Sequence, residues 1–184
     1  RVEKITQRCV SVLFDEFTRT GRQALVADFS FGGLPVTVVN LHIDPKHFAV
    51  QIENVLAFTG QIETPTILMG DFNCVPDDPA LDPIKRKWID TCRAVDTPGA
   101  KEADLKGTIL NGNQRIDFIF VEPELFEVRQ AGLPPEDHRR VSDHFAYFVD
   151  IAPKRSINSE EKISISHGGG QFDSGNDFDS VMRG

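Results

Sequence analysis

The chain has 184 residues, with 20 Lys and Arg against 28 Asp and Glu, giving a formal net charge of −8 at pH 7. That balance argues against a protein held on nucleic acid by a broad basic surface, which needs excess Lys and Arg, but not against phosphate bound through a metal ion, where the cation brings the positive charge. Hydrophobic residues make up 40% and charged residues 26%, enough for a sizeable core, and no apolar run reaches the ~18 residues of a membrane span.

Cys9–Phe14 carries Val10, Val12 and Phe14 at period 2, a strand pattern. Leu25, Ala27, Phe29 and Phe31 repeat it, Gly32-Gly33 marks a turn, and Val36–Leu41 follows, so residues 24–41 read as a hairpin. The period then changes. Asp44-Pro45 has the form of an N-cap with Pro at the first helical position. Phe48, Ile52, Val55 and Leu56 lie at helical spacing, and Gly60 stands where a C-terminal cap is expected. Thr66–Met69 is a short apolar run ending at Gly70, the mark of a buried strand, and part of Pro79–Trp88 reads as helix. Arg115–Val121, Leu125–Gln130 and Val141–Ile151 read as three further strands. The last is apolar on both faces and is expected to be covered on both. Residues 1–152 thus read as one mixed α/β domain. Residues 153–184, with Gly168-Gly169-Gly170, repeated Ser and no apolar period, read as a disordered polar tail.

The cysteines are Cys9, Cys74 and Cys92. An odd, sparse set without C-x-x-C spacing gives no disulfide framework and no zinc knuckle. Free thiols favour a reducing, cytoplasmic compartment. His47, His138 and His167 read as surface residues, and Trp88 with the Phe residues as core.

Four polar clusters stand at or just after strand ends: Asn40-Leu41-His42, Gly70-Asp71-Phe72-Asn73, Arg115-Ile116-Asp117 and Ser142-Asp143-His144. Charged groups beside buried strands are costly unless paired, metal-bound or solvated. Asp71 alone reads as a turn residue, and Asp117 alone as a partner for Arg115. Four clusters combining carboxylate, amide and imidazole in one small domain point instead to convergence on a site. Carboxylates and an amide suit a hard cation, and imidazoles suit proton transfer near neutral pH. Ser142 lacks the G-x-S-x-G context of a nucleophile, and no phosphate-binding glycine motif is present. Metal-assisted attack by water is the chemistry these residue types favour.

In the order VVNLHID, ILMGDFN, RIDFIFV and VSDHF, the sequence resembles the endonuclease/exonuclease/phosphatase superfamily, from roughly Arg8 to Ile151. Gln51 and Gly107-Thr108 also fit that pattern. The resemblance implies two packed mixed β-sheets flanked by helices, a four-layer sandwich. It implies a Mg2+-dependent (or Mn2+-dependent) phosphoesterase acting on a phosphodiester or phosphomonoester. The acidic balance favours a small-molecule or lipid phosphate over a nucleic acid, with a Mg2+-dependent nuclease and an inactive binding module as alternatives. Residue by residue, it implies that Asp71 orients or deprotonates the attacking water and binds metal. Asn73 would contact the phosphate and hold Asp71. Asp143 would be a metal ligand, His144 would hydrogen-bond the phosphate, and Asp117 would orient His144. His42 would stabilise the phosphorane or assist the leaving oxygen, with Asn40 supporting its loop. Asp71, Asn73, Asp117, Asp143 and His144 are expected to line one cleft, with His42 on the opposite wall. The family also carries an Asn and a metal-binding Glu on earlier strands. Glu3, Asp15 and Glu16 are not in that context. The chain therefore reads as the C-terminal portion of such a domain, inactive by itself, with the N-terminal strands of the same domain as its missing partner.

Overall fold

Alternating apolar positions in the first part of the chain become three consecutive antiparallel strands, β1 (Val2–Leu13), β2 (Arg22–Phe31) and β3 (Leu34–His42). The computed structural model describes residues 2–13 as backbone, and residues 22–31, 33–110, 112–135 and 142–154 with their side chains. Gly33, at φ 83°, turns β2 into β3. Helix α1 (Phe48–Thr59) then crosses over, so that β4 (Thr66–Asp71) lies parallel to β3. A 3-10 turn (Pro79–Leu81), α2 (Asp82–Lys85), the short β5 (Ile89–Asp90) and α3 (Pro98–Lys106) follow. Strand β6 (Asp117–Val121) lies antiparallel between β4 and β5, giving the order β1-β2-β3-β4-β6-β5. β7 (Phe126–Gly132) and β8 (Phe148–Pro153) pair antiparallel in a second sheet.

Because successive strand residues point to opposite faces, the large sheet builds two cores. On one face Ala24, Val26, Val39, Leu41, Leu68, Phe118 and Phe120 pack with Ile52 and Val55 of α1 and with Phe72 and Trp88. Phe118 and Phe120 stack at 5.2 Å, and Phe72 meets both edge-on. The Trp88 indole N–H donates to the Thr66 carbonyl at 3.3 Å. On the other face Val36, Ile67, Ile119 and Val121 meet Phe126, Val128, Val149 and Ile151 of the small sheet. Helix α3 adds Ala100 and Ala103 against Ala131 and Leu133 at the end of β7. Each large side chain removed from water here contributes about 1.5–3 kcal/mol.

The α/β class and the two facing sheets are the expected ones, though the second sheet is purely antiparallel. Four expectations need correction. The helix after His42 starts at Phe48, not at Asp44-Pro45. The Asp44 carboxylate instead accepts from the Lys46 amide (2.8 Å) and faces His47 (3.4 Å) and Arg22 (3.8 Å). His47 is accordingly half-buried, while His138 and His167 lie outside the described residues. β8 begins at Phe148, because the amides of Leu110 and Phe145 are bonded to Asp143 and Thr108 carbonyls and tie the preceding residues to another segment. β8 is not covered on both faces either, since Phe148 and Asp150 are exposed. The expected tail lies, from Arg155 on, outside the described residues.

Candidate active site

Strand register brings the first polar groups together. His42 pairs with Asp71 across β3 and β4, and Asp71 pairs with Asp117 across β4 and β6. The three form one row at the strand ends. Alternation turns the row toward the small sheet, since Met69 and Ile119, two residues back on their strands, pack on that side. Two backbone features let β4 end there. Gly70 sits at φ 134°, and a Cβ on it would lie 2.0 Å from the Leu41 carbonyl oxygen, so only glycine fits. Asn73 sits at φ 50°, the left-handed region that Asn tolerates better than most residues.

That turn wraps Asn73 around Asp71. The Asn73 backbone N–H donates to Asp71 Oδ1 at 2.8 Å, and its Nδ2 donates to Asp71 Oδ2 at 3.2 Å and to the Ile43 carbonyl at 2.7 Å. The Ile43 N–H in turn donates to the Asp71 carbonyl at 2.8 Å. The next residue is held as well, because the Oε1 of the fully buried Gln51 accepts from the Asp44 amide at 2.8 Å. Two imidazoles approach the same carboxylate oxygen: His42 Nε2 lies 3.4 Å and His144 Nε2 3.9 Å from Asp71 Oδ2. Burial raises the Asp71 carboxyl above its ordinary value, and the nearby Asp117 charge adds to this. The Asn73 amide and the two imidazoles oppose it without cancelling it.

His144 reaches the row from the segment before β8. Its Nδ1 stands 2.8 Å from Asp117 Oδ2, which leaves Nε2 facing Asp71. Partial burial works against the imidazolium, but the hydrogen bond and charge of Asp117, with the charges of Asp71 and Asp143, outweigh it and hold the His144 pKa above its usual value. The His144 backbone N–H donates to Ser142 Oγ at 3.1 Å. A Ser hydroxyl accepting from the amide two residues on makes a turn of a recurrent kind, a role not read from Ser142 in the sequence. A cavity of about 320 Å³ opens beside the pair, lined by Met69, Ile119, Phe145, Ala146 and Tyr147 together with Asp117 and His144.

His42, Asp71, Asn73, Asp117 and His144 are therefore neighbours, with His42 beside Asp71 rather than on a separate wall. Asp143 is exposed; its carboxylate accepts from the Ser142 hydroxyl at 3.2 Å. Asn40 is exposed one turn of the pleat behind His42. Arg115 is not the partner of Asp117. Its buried guanidinium forks onto Asp90 (2.5 and 3.1 Å) and reaches Asp104 at 3.0 Å. Among the described residues no three His, Cys, Asp or Glu side chains are grouped so as to hold a metal ion. Cys74 and Cys92 are free and buried, and burial raises their thiols to about 12 and about 11.

A family model described as the Endonuclease/Exonuclease/phosphatase family matches residues 6–144. Solved structures share the fold. A functionally unknown conserved protein from Enterococcus faecalis matches with a TM-score of 0.67 and 21% identity, over 83% of this chain and 68% of that one. A mannosyl-6-phosphatase from Bacteroides thetaiotaomicron matches with a TM-score of 0.56 and 25% identity, over 71% of this chain and 57% of that one. TDP2 from D. rerio, complexed with a single-strand DNA product, matches with a TM-score of 0.62 and 16% identity, over 83% of this chain and 69% of that one. The chain thus spans 57–69% of the length of these three structures. No curated protein sequence matches it significantly.

Proposed function

Because the chain belongs to the endonuclease/exonuclease/phosphatase family, we propose that this site hydrolyses a phosphate ester by attack of water. One observation carries the reading: Asp71 Oδ2 lies within 3.4 Å and 3.9 Å of two imidazoles, one of them fixed by a 2.8 Å contact to Asp117. A carboxylate whose pKa is raised by burial takes a proton more readily than an exposed one. Asp71 therefore orients the water and accepts its proton as the water oxygen bonds to phosphorus and the ester P–O bond breaks. Asn73 keeps the Asp71 carboxylate turned into the cleft. His144, its cationic form favoured by Asp117, donates from Nε2 to a phosphoryl oxygen and counters the charge that develops there. His42, more exposed, stands on the far side of Asp71 and serves the pentacovalent phosphate or the departing oxygen.

A divalent cation, Mg2+ or Mn2+, would supply Lewis-acid stabilisation of phosphoryl charge. Asp71 and Asp143 are the carboxylates that would contribute to holding it, with waters and substrate oxygens completing a six-oxygen shell, but among the described residues no three His, Cys, Asp or Glu side chains are grouped as a metal site.

The acidic balance of the chain favours a small-molecule or lipid phosphate over a nucleic acid, whose binding draws on many Lys and Arg contacts. The test is a panel of a hexose 6-phosphate, a phosphocholine lipid and single-stranded DNA, offered to the native protein with Mg2+ or Mn2+. Turnover of either of the first two, with DNA untouched, is expected. Turnover of DNA alone replaces the substrate class with a nuclease's.

A further inference from the structure

The Asp117–His144 contact joins side chains 27 residues apart in sequence. One comes from a strand and the other from a segment outside any strand, so something else must fix their separation. Thr108 lies between them. It is fully buried, and its hydroxyl oxygen accepts from two successive amides, those of Ile116 and Asp117, each at 3.1 Å. Its own N–H donates to the Gln114 carbonyl at 2.9 Å. Its carbonyl accepts from the Phe145 amide at 2.7 Å, the residue next to His144. Ile109 bridges His144, and the Leu110 amide donates to the Asp143 carbonyl at 2.9 Å. Gly107 permits this approach: it sits at φ 76°, and a Cβ there would lie 2.4 Å from the Gln114 backbone.

We propose that Thr108 is a positioning residue, whose hydroxyl grips the start of β6 while its backbone grips the His144 segment, so that one residue sets the distance between Asp117 and His144. The inference rests on the functional reading above only for its consequence, because the clamp itself is a matter of geometry. Thr suits the task. Its branched Cβ restricts χ1, so the oxygen stays where both amides need it. A displacement of about 1 Å in a catalytic pair costs on the order of 10²-fold in rate.

A hydroxyl that merely satisfies two buried amides predicts a stability loss on removal and nothing further. The clamp predicts a change at His144. The readout is the proton NMR signal of the His144 Nδ1–H, shifted downfield while it donates to Asp117, together with amide hydrogen exchange at Ile116 and Asp117. Thr108→Val keeps the shape and removes the oxygen. It should lose or broaden the Nδ1–H signal and speed exchange at both amides while still melting cooperatively. Thr108→Ser keeps the oxygen and should retain the signal and the protection. A folded Thr108→Val protein with the signal unmoved overturns the inference. So does a Thr108→Ser protein that loses it, and this second outcome decides the matter if the Val variant does not fold. Turnover is not used, so a native protein inactive on every phosphate ester ends the functional reading and leaves this one standing.

Discussion

Asp71 and His144 are shifted in the same direction by different causes, and the sign of each has a consequence. Burial raises Asp71, and contact with Asp117 outweighs burial to raise His144. A histidine whose folded pKa lies above its unfolded value, about 6.5, stabilises the fold fully below that value. The contribution is lost as pH rises through the folded pKa. The melting temperature of wild type minus that of His144→Ala should therefore be largest near pH 5.5 and shrink as pH rises past neutrality. A difference that grows with pH places the shift in the wrong direction. At Asn73 the backbone is the issue. The left-handed φ of 50° costs a non-glycine residue about 1–2 kcal/mol. Asn73→Ala and Asn73→Gly both lose the amide that braces Asp71, but Gly relieves the backbone. Urea unfolding should find the Gly variant more stable than the Ala variant by about that amount, and equal stabilities contradict the assignment. Cys74 and Cys92, with thiols raised by burial to about 12 and about 11, should resist alkylation at pH 8 in folded protein and react in urea, as peptide mapping would show.

Arg115 shows what an ion pair does between elements. Its guanidinium is fully buried, bidentate on the nearly buried Asp90 of β5, joined to Asp104 of α3, and laid over the Phe118 ring of β6 at 4.6 Å. Arg93 extends the network from Asp104 to Asp77. Arg115→Met keeps the bulk but strands the Asp90 carboxylate, and should cost about 3–5 kcal/mol in denaturant unfolding. A loss under 1 kcal/mol shows that water reaches Asp90. This network was not legible in the sequence, because Asp90, Asp104 and Arg115 share no motif and meet only after β5, α3 and β6 are placed. What was legible follows from periodicity. The hairpin of β2 and β3, the core face of α1 and the buried strand ending at Gly70 all carry strong apolar periods, and the four polar clusters stand out because they interrupt them. Helix α3 escaped because it buries only Ala100 and Ala103, too little apolar signal to mark a face. Its start was nonetheless written in Thr97-Pro98, where Thr97 Oγ1 accepts from the Ala100 amide at 3.3 Å. β8 is shorter than its apolar run because Phe145 and Tyr147 are half-buried against the cluster of Cys92, Ala100 and Ala131 without belonging to a strand. Periodicity reports burial, not hydrogen-bond partners.

Between the two sheets, side chains from opposite strands make a single interior, and the site lies at its rim. Phe126 of β7 is fully buried among Val36, Ile67, Ile119 and Val121 of the large sheet. Phe126→Ala should cost about 3–5 kcal/mol and loosen the small sheet that carries His144 on its approach. A change below 1 kcal/mol in urea unfolding indicates that the sheets do not share a core. The row His42, Asp71, Asp117 belongs to the large sheet alone, and His144 is laid across it from the segment leading into β8. The two halves of the site are thus assembled only when the sheets are. The same arrangement explains why Asp71 is shielded from solvent and raised, while His42, at the outer end of the row, is 56% exposed. All these roles depend on Asp71 acting on water at a phosphate ester. The direct test is the hydrolysis rate of the native protein against that of Asp71→Asn, measured on the preferred ester at one metal concentration. Loss of the carboxylate with its shape kept should lower kcat on the order of 10²–10⁴-fold with the melting temperature held. A variant within a few-fold of wild type, or a native protein that turns over no phosphate ester, contradicts the account.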